Sequence, residues 1–167
     1  MRPMTKQNLE AAFAGESQAH MKYSAFAEEA EKAGKPNVAR LFRAISYAEE
    51  VHAKNHLRAL EGISGTEGNL EKAISGETFE VEEMYPAYDR VAELQDEPSA
   101  RKTIGYAVEA EKIHAVLYSE ALKKVKAGQD ADPEPVFVCP VCGYTVKGNP
   151  PEKCPVCNAS KDVFKKF

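Results

Sequence analysis

Ala48–Ala53 reads AEEVHA, and Ala110–Ala115 reads AEKIHA. Each copy holds Glu-x-x-His: Glu49 with His52, and Glu111 with His114. Residues three apart on an α-helix differ by about 60° around the axis and about 4.5 Å along it. A carboxylate and an imidazole so spaced can therefore bind the same metal ion or two adjacent ones. A second repeat accompanies the first: Gly15-Glu16-Ser17 precedes one copy and Gly76-Glu77-Thr78 the other. The offsets nearly agree, 61 positions from Glu16 to Glu77 and 62 from Glu49 to Glu111. The chain thus reads as one helix pair used twice. Glu80, three residues past Glu77, breaks the symmetry, because its counterpart is Ala19.

Bundles that hold two metal ions carry a Glu-x-x-His on each of two helices and a lone glutamate on each of the other two. Glu16 fits that pattern, lying in a stripe with Phe13, His20, Tyr23, Phe26 and Ala30 on a first helix from Thr5 to Gly34. A surface glutamate is the ordinary alternative. The second helix, from Asn37 to Gly62, places Leu41, Ile45, Glu49, His52 and His56 on one face. His56 could pair with His52, but its counterpart in the second copy is Tyr118, which could not replace it as a ligand. His56 and His20 are read as core or solvated histidines. Residues 62–75 begin glycine-rich and turn mildly helical, a long connection of the kind ferritin-like bundles use once. A third helix aligns Ile74, Glu77, Glu80, Met84, Tyr88, Val91 and Leu94. Pro86 falls inside it, and since the periodicity continues past it a kink is expected, not an end. The fourth helix runs from Pro98 to about Lys126, with Ile104, Val108, Glu111, His114, Tyr118 and Leu122 inward.

With 167 residues and 43% apolar composition, the chain is long enough for one packed domain with a small appendage. A net charge of −4 without a basic stripe argues against nucleic acid as a partner. The first ten residues contain no apolar run, and no segment reaches the ~20 apolar residues that span a bilayer. No membrane association and a cytoplasmic location are expected. The four cysteines all lie after residue 138, which suits a metal site better than a disulfide frame.

Composition divides the chain into a helical domain over 1–127, a polar linker at 128–135 (GQDADPEP) and a last module over 136–167. In that module Cys139, Cys142, Cys154 and Cys157 form two Cys-Pro-Val-Cys knuckles separated by eleven residues. Four thiolates so spaced hold a tetrahedral zinc or a single iron. A segment this short cannot fold on its core alone, so the ion must stabilise it. A structural zinc ribbon fits the spacing alone. The repeated Cys-Pro-Val-Cys, Gly143-Tyr144 after the first knuckle, and Phe137, Phe164 and Phe167 as a small aromatic core resemble rubredoxin, whose Fe(Cys)₄ centre carries one electron at a time.

Glu16, Glu49-x-x-His52, Glu77-x-x-Glu80 and Glu111-x-x-His114, followed by this tail, make a chain that over nearly its whole length resembles the rubrerythrins. The resemblance implies a mostly α fold, a ferritin-like four-helix bundle with one long crossover, plus the small metal-knuckle domain. It implies a di-iron centre bridged by Glu49 and Glu111, with Glu16 terminal on one iron and Glu77 and His114 on the other. By the same resemblance Glu80 binds the first iron when the site is oxidised and His52 replaces it on reduction, while Tyr23 and Tyr85 hydrogen-bond the carboxylates. The implied activity is reduction of hydrogen peroxide to water in oxidative-stress defence. Electrons would come from NAD(P)H through a separate reductase, or from a rubredoxin, and enter at the mononuclear Fe(Cys)₄ site.

A ferroxidase that stores iron, of the bacterioferritin type, is the alternative, though those proteins lack a counterpart of Glu80 and the tail. An interaction scaffold with a zinc clip is a third reading, and would be colourless. One expectation follows from lengths. Helices of about 27 residues are about 40 Å long, and a tail tethered at one end could sit about 20 Å or more from its own mid-bundle ligands. A head-to-tail homodimer is therefore expected to bring a second subunit's tail alongside.

Overall fold

The computed structural model describes all 167 residues, which divide into two compact units, Met1–Ser64 and Gly65–Phe167. The fold is mostly α, with the four long rods of a ferritin-like helical protein and a small C-terminal sheet. No helix is long and apolar enough to cross a membrane.

The first unit is an antiparallel hairpin of α1 (Pro3–Lys32) and α2 (Pro36–Ala59). Gly34, at φ 66°, supplies the left-handed residue that ends α1, and the Lys35 amide closes back on the Ala30 carbonyl. The seam between the helices is made of small residues: Ala27, Ala39, Ser46 and Ala53 are its buried positions. They let the backbones approach closely, and Tyr23, Phe26 and Phe42 stack beside them with centroids 5.6–6.2 Å apart. His20 braces the seam: its Nδ1 lies 2.9 Å from the Ser46 carbonyl, and the Ser46 hydroxyl donates to the His20 carbonyl at 2.8 Å. Leu41 and Ile45 stay exposed, because a hairpin has only one internal face and the alanine seam occupies it.

The second unit begins at α3 (Thr66–Phe79), so the irregular part of the connection shrinks to Leu60–Gly65. Residues 80–84 then widen into a π-helical turn before α4 (Tyr85–Leu94). The expected kink at Pro86 takes this form: the Tyr85 amide reaches back to the Glu80 carbonyl, and Pro86 falls in the first turn of a fresh α-helix. A first-turn proline needs no N–H, so the widened turn removes the conflict that a regular helix would have at that position. Arg101 on α5 (Pro98–Lys126) ties α4 by a two-pronged pair to Asp89, 2.9 and 3.1 Å, and by a contact to Glu93 at 3.0 Å.

After α5 the chain turns back along that helix. Lys124 binds Asp132 at 2.7 Å, Lys147 binds Glu120 at 3.0 Å, and Tyr106 packs against the cysteine cluster. Three short strands, β1 (Val136–Val138), β2 (Thr145–Lys147) and β3 (Lys165–Lys166), form an antiparallel sheet in the order β2-β1-β3. Tyr144 and Phe164 meet edge to face at 6.3 Å in its small core. Phe167 does not join them: it is 67% exposed, with the Lys165 ammonium over its ring.

Candidate metal centres

In the first unit Glu16 from α1 and Glu49 and His52 from α2 bring ligand atoms within 4.8 Å of one another. His52 Nδ1 lies 2.9 Å from Glu49 Oε2. In the second unit Glu77 from α3 and Glu111 and His114 from α5 do the same, with His114 Nδ1 2.5 Å from Glu111 Oε2. The repeat in sequence is thus a repeat in structure, one carboxylate–carboxylate–imidazole set for each helix pair. Glu80 stands outside the second trio but close enough for its charge to act on Glu77 and Tyr85. Tyr23 has aromatic neighbours, Phe26 and Phe42. Tyr85 lies in the field of Glu80, Glu111 and Glu77. His56 belongs to neither trio, and His20 is held by Ser46.

The electrostatics of the second trio are those of a cation site. Burial, then a hydrogen bond to Glu111 and the charges of Glu111 and Glu80, push the Glu77 carboxyl up to about 7. Burial and the charge of Glu111 raise Glu80 as well, against the opposing effect of His114. Burial and the same carboxylates push the Tyr85 phenol upward. Glu111 and Glu80 thus crowd negative charge onto Glu77, and a metal ion bound there would relieve it.

The tail presents the thiolate site. The Sγ atoms of Cys139, Cys142, Cys154 and Cys157 all lie within 4.8 Å of one another, with Cys139–Cys157 and Cys142–Cys154 at 3.5 Å. A tetrahedron with metal–sulfur bonds of about 2.3 Å has edges of about 3.8 Å, so the four sulfurs are spaced as ligands and not as disulfides. The two knuckles are built alike. Gly143 N–H donates to the Cys139 carbonyl and Asn158 N–H to that of Cys154; Cys139 N–H reaches Tyr144 and Cys154 N–H reaches Ala159. Gly143 (φ 80°) and Asn158 (φ 64°) occupy the same left-handed position. Sequence reading found the repeated Cys-Pro-Val-Cys but missed Asn158, although asparagine is the residue after glycine best suited to that conformation. Burial raises the Cys142 thiol, only partly offset by the Tyr144 amide. At Cys154 burial is outweighed by the amides of Cys157 and Val156, which bring its thiol down to about 7.

The expected separation between the tail and its own helix ligands is corrected by the second unit. His114 Nε2 lies 2.9 Å from Thr145 Oγ1, in the strand that follows the first knuckle. Gly143 rests over Ala110, one residue before Glu111; a Cβ built there would sit 3.5 Å from the Ala110 methyl. The linker folds back along α5 instead of extending away from it, which removes the distance argument for a head-to-tail pair of subunits.

Residues 7–122 match the family model described as rubrerythrin, and residues 137–165 match that of the rubrerythrin rubredoxin-like domain. The chain belongs to the rubrerythrin family. It is 42% identical to rubrerythrin-2 of Clostridium acetobutylicum, covering 98% of this chain and 97% of that protein. It is 37% identical to nigerythrin of Nitratidesulfovibrio vulgaris, covering 96% and 85%. The solved structure of nigerythrin in a partially reduced state superposes with a TM-score of 0.59 at 35% identity, over 98% of this chain and 86% of that one. For a rubrerythrin, a di-iron site of carboxylates and histidines and a mononuclear Fe(Cys)₄ site are the resident metals, and the donor sets described above fit both.

Proposed function

We propose that this rubrerythrin is a peroxidase of oxidative-stress defence, reducing hydrogen peroxide to water with electrons that enter at the cysteine site. The observation that carries the reading is the placement, within one compact unit, of the four-thiolate module against the helix bearing Glu111 and His114. An electron entry port beside the helix residues suits a reaction that consumes electrons at every turnover. Each peroxide takes up two electrons and two protons and leaves as two waters. Two adjacent ferrous ions, when bound, supply both electrons in one encounter.

The residues divide the remaining work. We assign Glu49 and Glu111 as the carboxylates that would serve both irons, Glu16 as a ligand that would hold one of them, and Glu77 and His114 as ligands that would hold the other. Shared carboxylates would suit both oxidation states, because their charge would offset the extra positive charge of the ferric pair. Glu80 and His52 are assigned as exchangeable donors to the first iron: the anion would suit the ferric state and the neutral ring the ferrous one, so the local charge would stay nearly constant. His52 has the freedom for this, its side chain being 55% exposed and held only by Glu49. Tyr85, raised by burial and by the surrounding carboxylates, keeps its proton and serves as a hydrogen-bond donor at the site. A rubredoxin or an NAD(P)H-dependent reductase is the assigned electron donor.

The test is peroxide consumption driven by NAD(P)H through a reductase. The wild type should turn over, while Cys142→Ser, which breaks electron entry, and Glu111→Gln, which breaks the helix site, should each lose activity by more than tenfold. Unchanged turnover in either variant would refute the reading. Uptake of many irons per chain into a mineral core would favour the ferroxidase alternative.

A further inference from the structure

The two histidines that sequence makes equivalent are held differently, and the difference comes from outside the helices. His52 has one partner, Glu49. His114 is held from both sides: Nδ1 faces Glu111 Oε2 at 2.5 Å, and Nε2 faces Thr145 Oγ1 at 2.9 Å. Thr145 is 7% exposed, so its hydroxyl cannot fall back on bulk water. That hydroxyl has one hydrogen, and it is donated to the Gly143 carbonyl at 2.9 Å. A carbonyl can only accept. The lone pairs of the Thr145 oxygen are what remain for His114, so Nε2 must carry the hydrogen and donate it. In the neutral ring Nδ1 is then bare, and it points at a carboxylate oxygen. Two acceptors face to face need a positive charge between or beside them.

We propose that Thr145 is a positioning residue: its hydroxyl, supplied by the thiolate module, fixes His114 in the Nε2–H tautomer and so presents Nδ1 as the metal-binding atom of the second helix pair. This rests on the reading that Glu77, Glu111 and His114 bind metal. It adds that the ligand ring is oriented by the other metal centre's own scaffold, through the path His114–Thr145–Gly143, which ends at the residue next to Cys142. Folding of the thiolate module, which its metal drives, then also prepares the helix site.

The test uses the full chain with zinc as a diamagnetic probe in both sites and with ¹⁵N-labelled histidine. In the wild type, long-range ¹H–¹⁵N correlation should show His114 protonated on Nε2 and metal-bound through Nδ1, with a slowly exchanging Nε2–H. Thr145→Val keeps the shape and strand propensity but lacks the hydroxyl. In it that proton should exchange at least about tenfold faster and zinc affinity at the helix site should fall by about tenfold, the lower end of what loss of an outer partner of a ligand histidine costs. Thr145→Ser should restore both, while His52 and the zinc content of the four-cysteine site stay unchanged in all three proteins. Equal exchange and affinity in wild type and Thr145→Val, or failure of Thr145→Ser to restore them, would overturn the role of Thr145. A wild type that takes up no zinc on its helices would instead overturn the metal-site reading beneath it.

Discussion

Glu77 offers a perturbation whose size can be worked out beforehand. In the metal-free protein burial and the neighbouring carboxylates hold its carboxyl at about 7. At pH 6 such a group is about nine-tenths protonated, and at pH 8 about one-tenth. A cation entering the trio must displace that proton, because carboxylate ligands bind in their charged form. Metal binding at the helix site should therefore release about 0.8 more protons at pH 6 than at pH 8 through this group alone. The assay is calorimetric titration of zinc into protein whose four-cysteine site is already filled, in buffers of different ionisation enthalpy at each pH. Histidine protons add to the total, so Glu77→Gln is the reference, and the wild-type excess over it should shrink from pH 6 to pH 8. The same group sets the sign of a stability effect. Its pKa is raised on folding, so the folded chain binds more protons than the unfolded one between the ordinary carboxyl value and about 7. The metal-free protein should lose thermal stability as pH rises through that window and level off above it. Equal proton release by wild type and Glu77→Gln at pH 6 would refute the crowding argument.

Three further outcomes follow. Gly143→Ala should destabilise the tail by about 1–2 kcal/mol, because φ of 80° is strained for any other residue, whereas Gly105→Ala, in open space inside α5, should stabilise by up to about 1 kcal/mol; thermal melts separate the two. Ser46→Ala should cost about 1–2 kcal/mol, since it removes the buried hydroxyl that braces His20 and α1; denaturant midpoints of wild type and variant measure it. Stripping the four-cysteine metal with a chelator should unfold the tail and release Tyr106 and Tyr144 to solvent while far-ultraviolet circular dichroism stays helical, because the tail alone depends on its ion.

The four rods, their order and the clustering of both carboxylate–imidazole trios were legible because these residues and the apolar ones recur at helical spacing, and Glu-x-x-His repeats nearly in register. The thiolate module was legible because four cysteines at fixed spacing leave few alternatives. What escaped the sequence were matters of tertiary approach. Periodicity could not distinguish the alanine seam of α1 and α2 from the stripe of Leu41 and Ile45 beside it, since both recur every three or four residues. Pro86 announced a broken helix, but the π turn at Glu80–Met84 that accommodates it depends on where the broken hydrogen bonds are remade. The return of the tail along α5 rests on Lys124–Asp132, Lys147–Glu120 and the small Ala110, none of which stands out in a linear reading. Thr145 had no motif to reveal it, because its role depends on which residue it meets 31 positions away.

The most direct test of the account is anaerobic titration of the fully reduced, iron-loaded protein with hydrogen peroxide, followed optically. Two irons on the helices and one at the cysteines hold three electrons, so oxidation should be complete at about one and a half peroxides per chain, and at about one when zinc fills the cysteine site. A reduced protein whose spectrum does not respond to peroxide, or an end point that does not change when zinc replaces the thiolate iron, would contradict it.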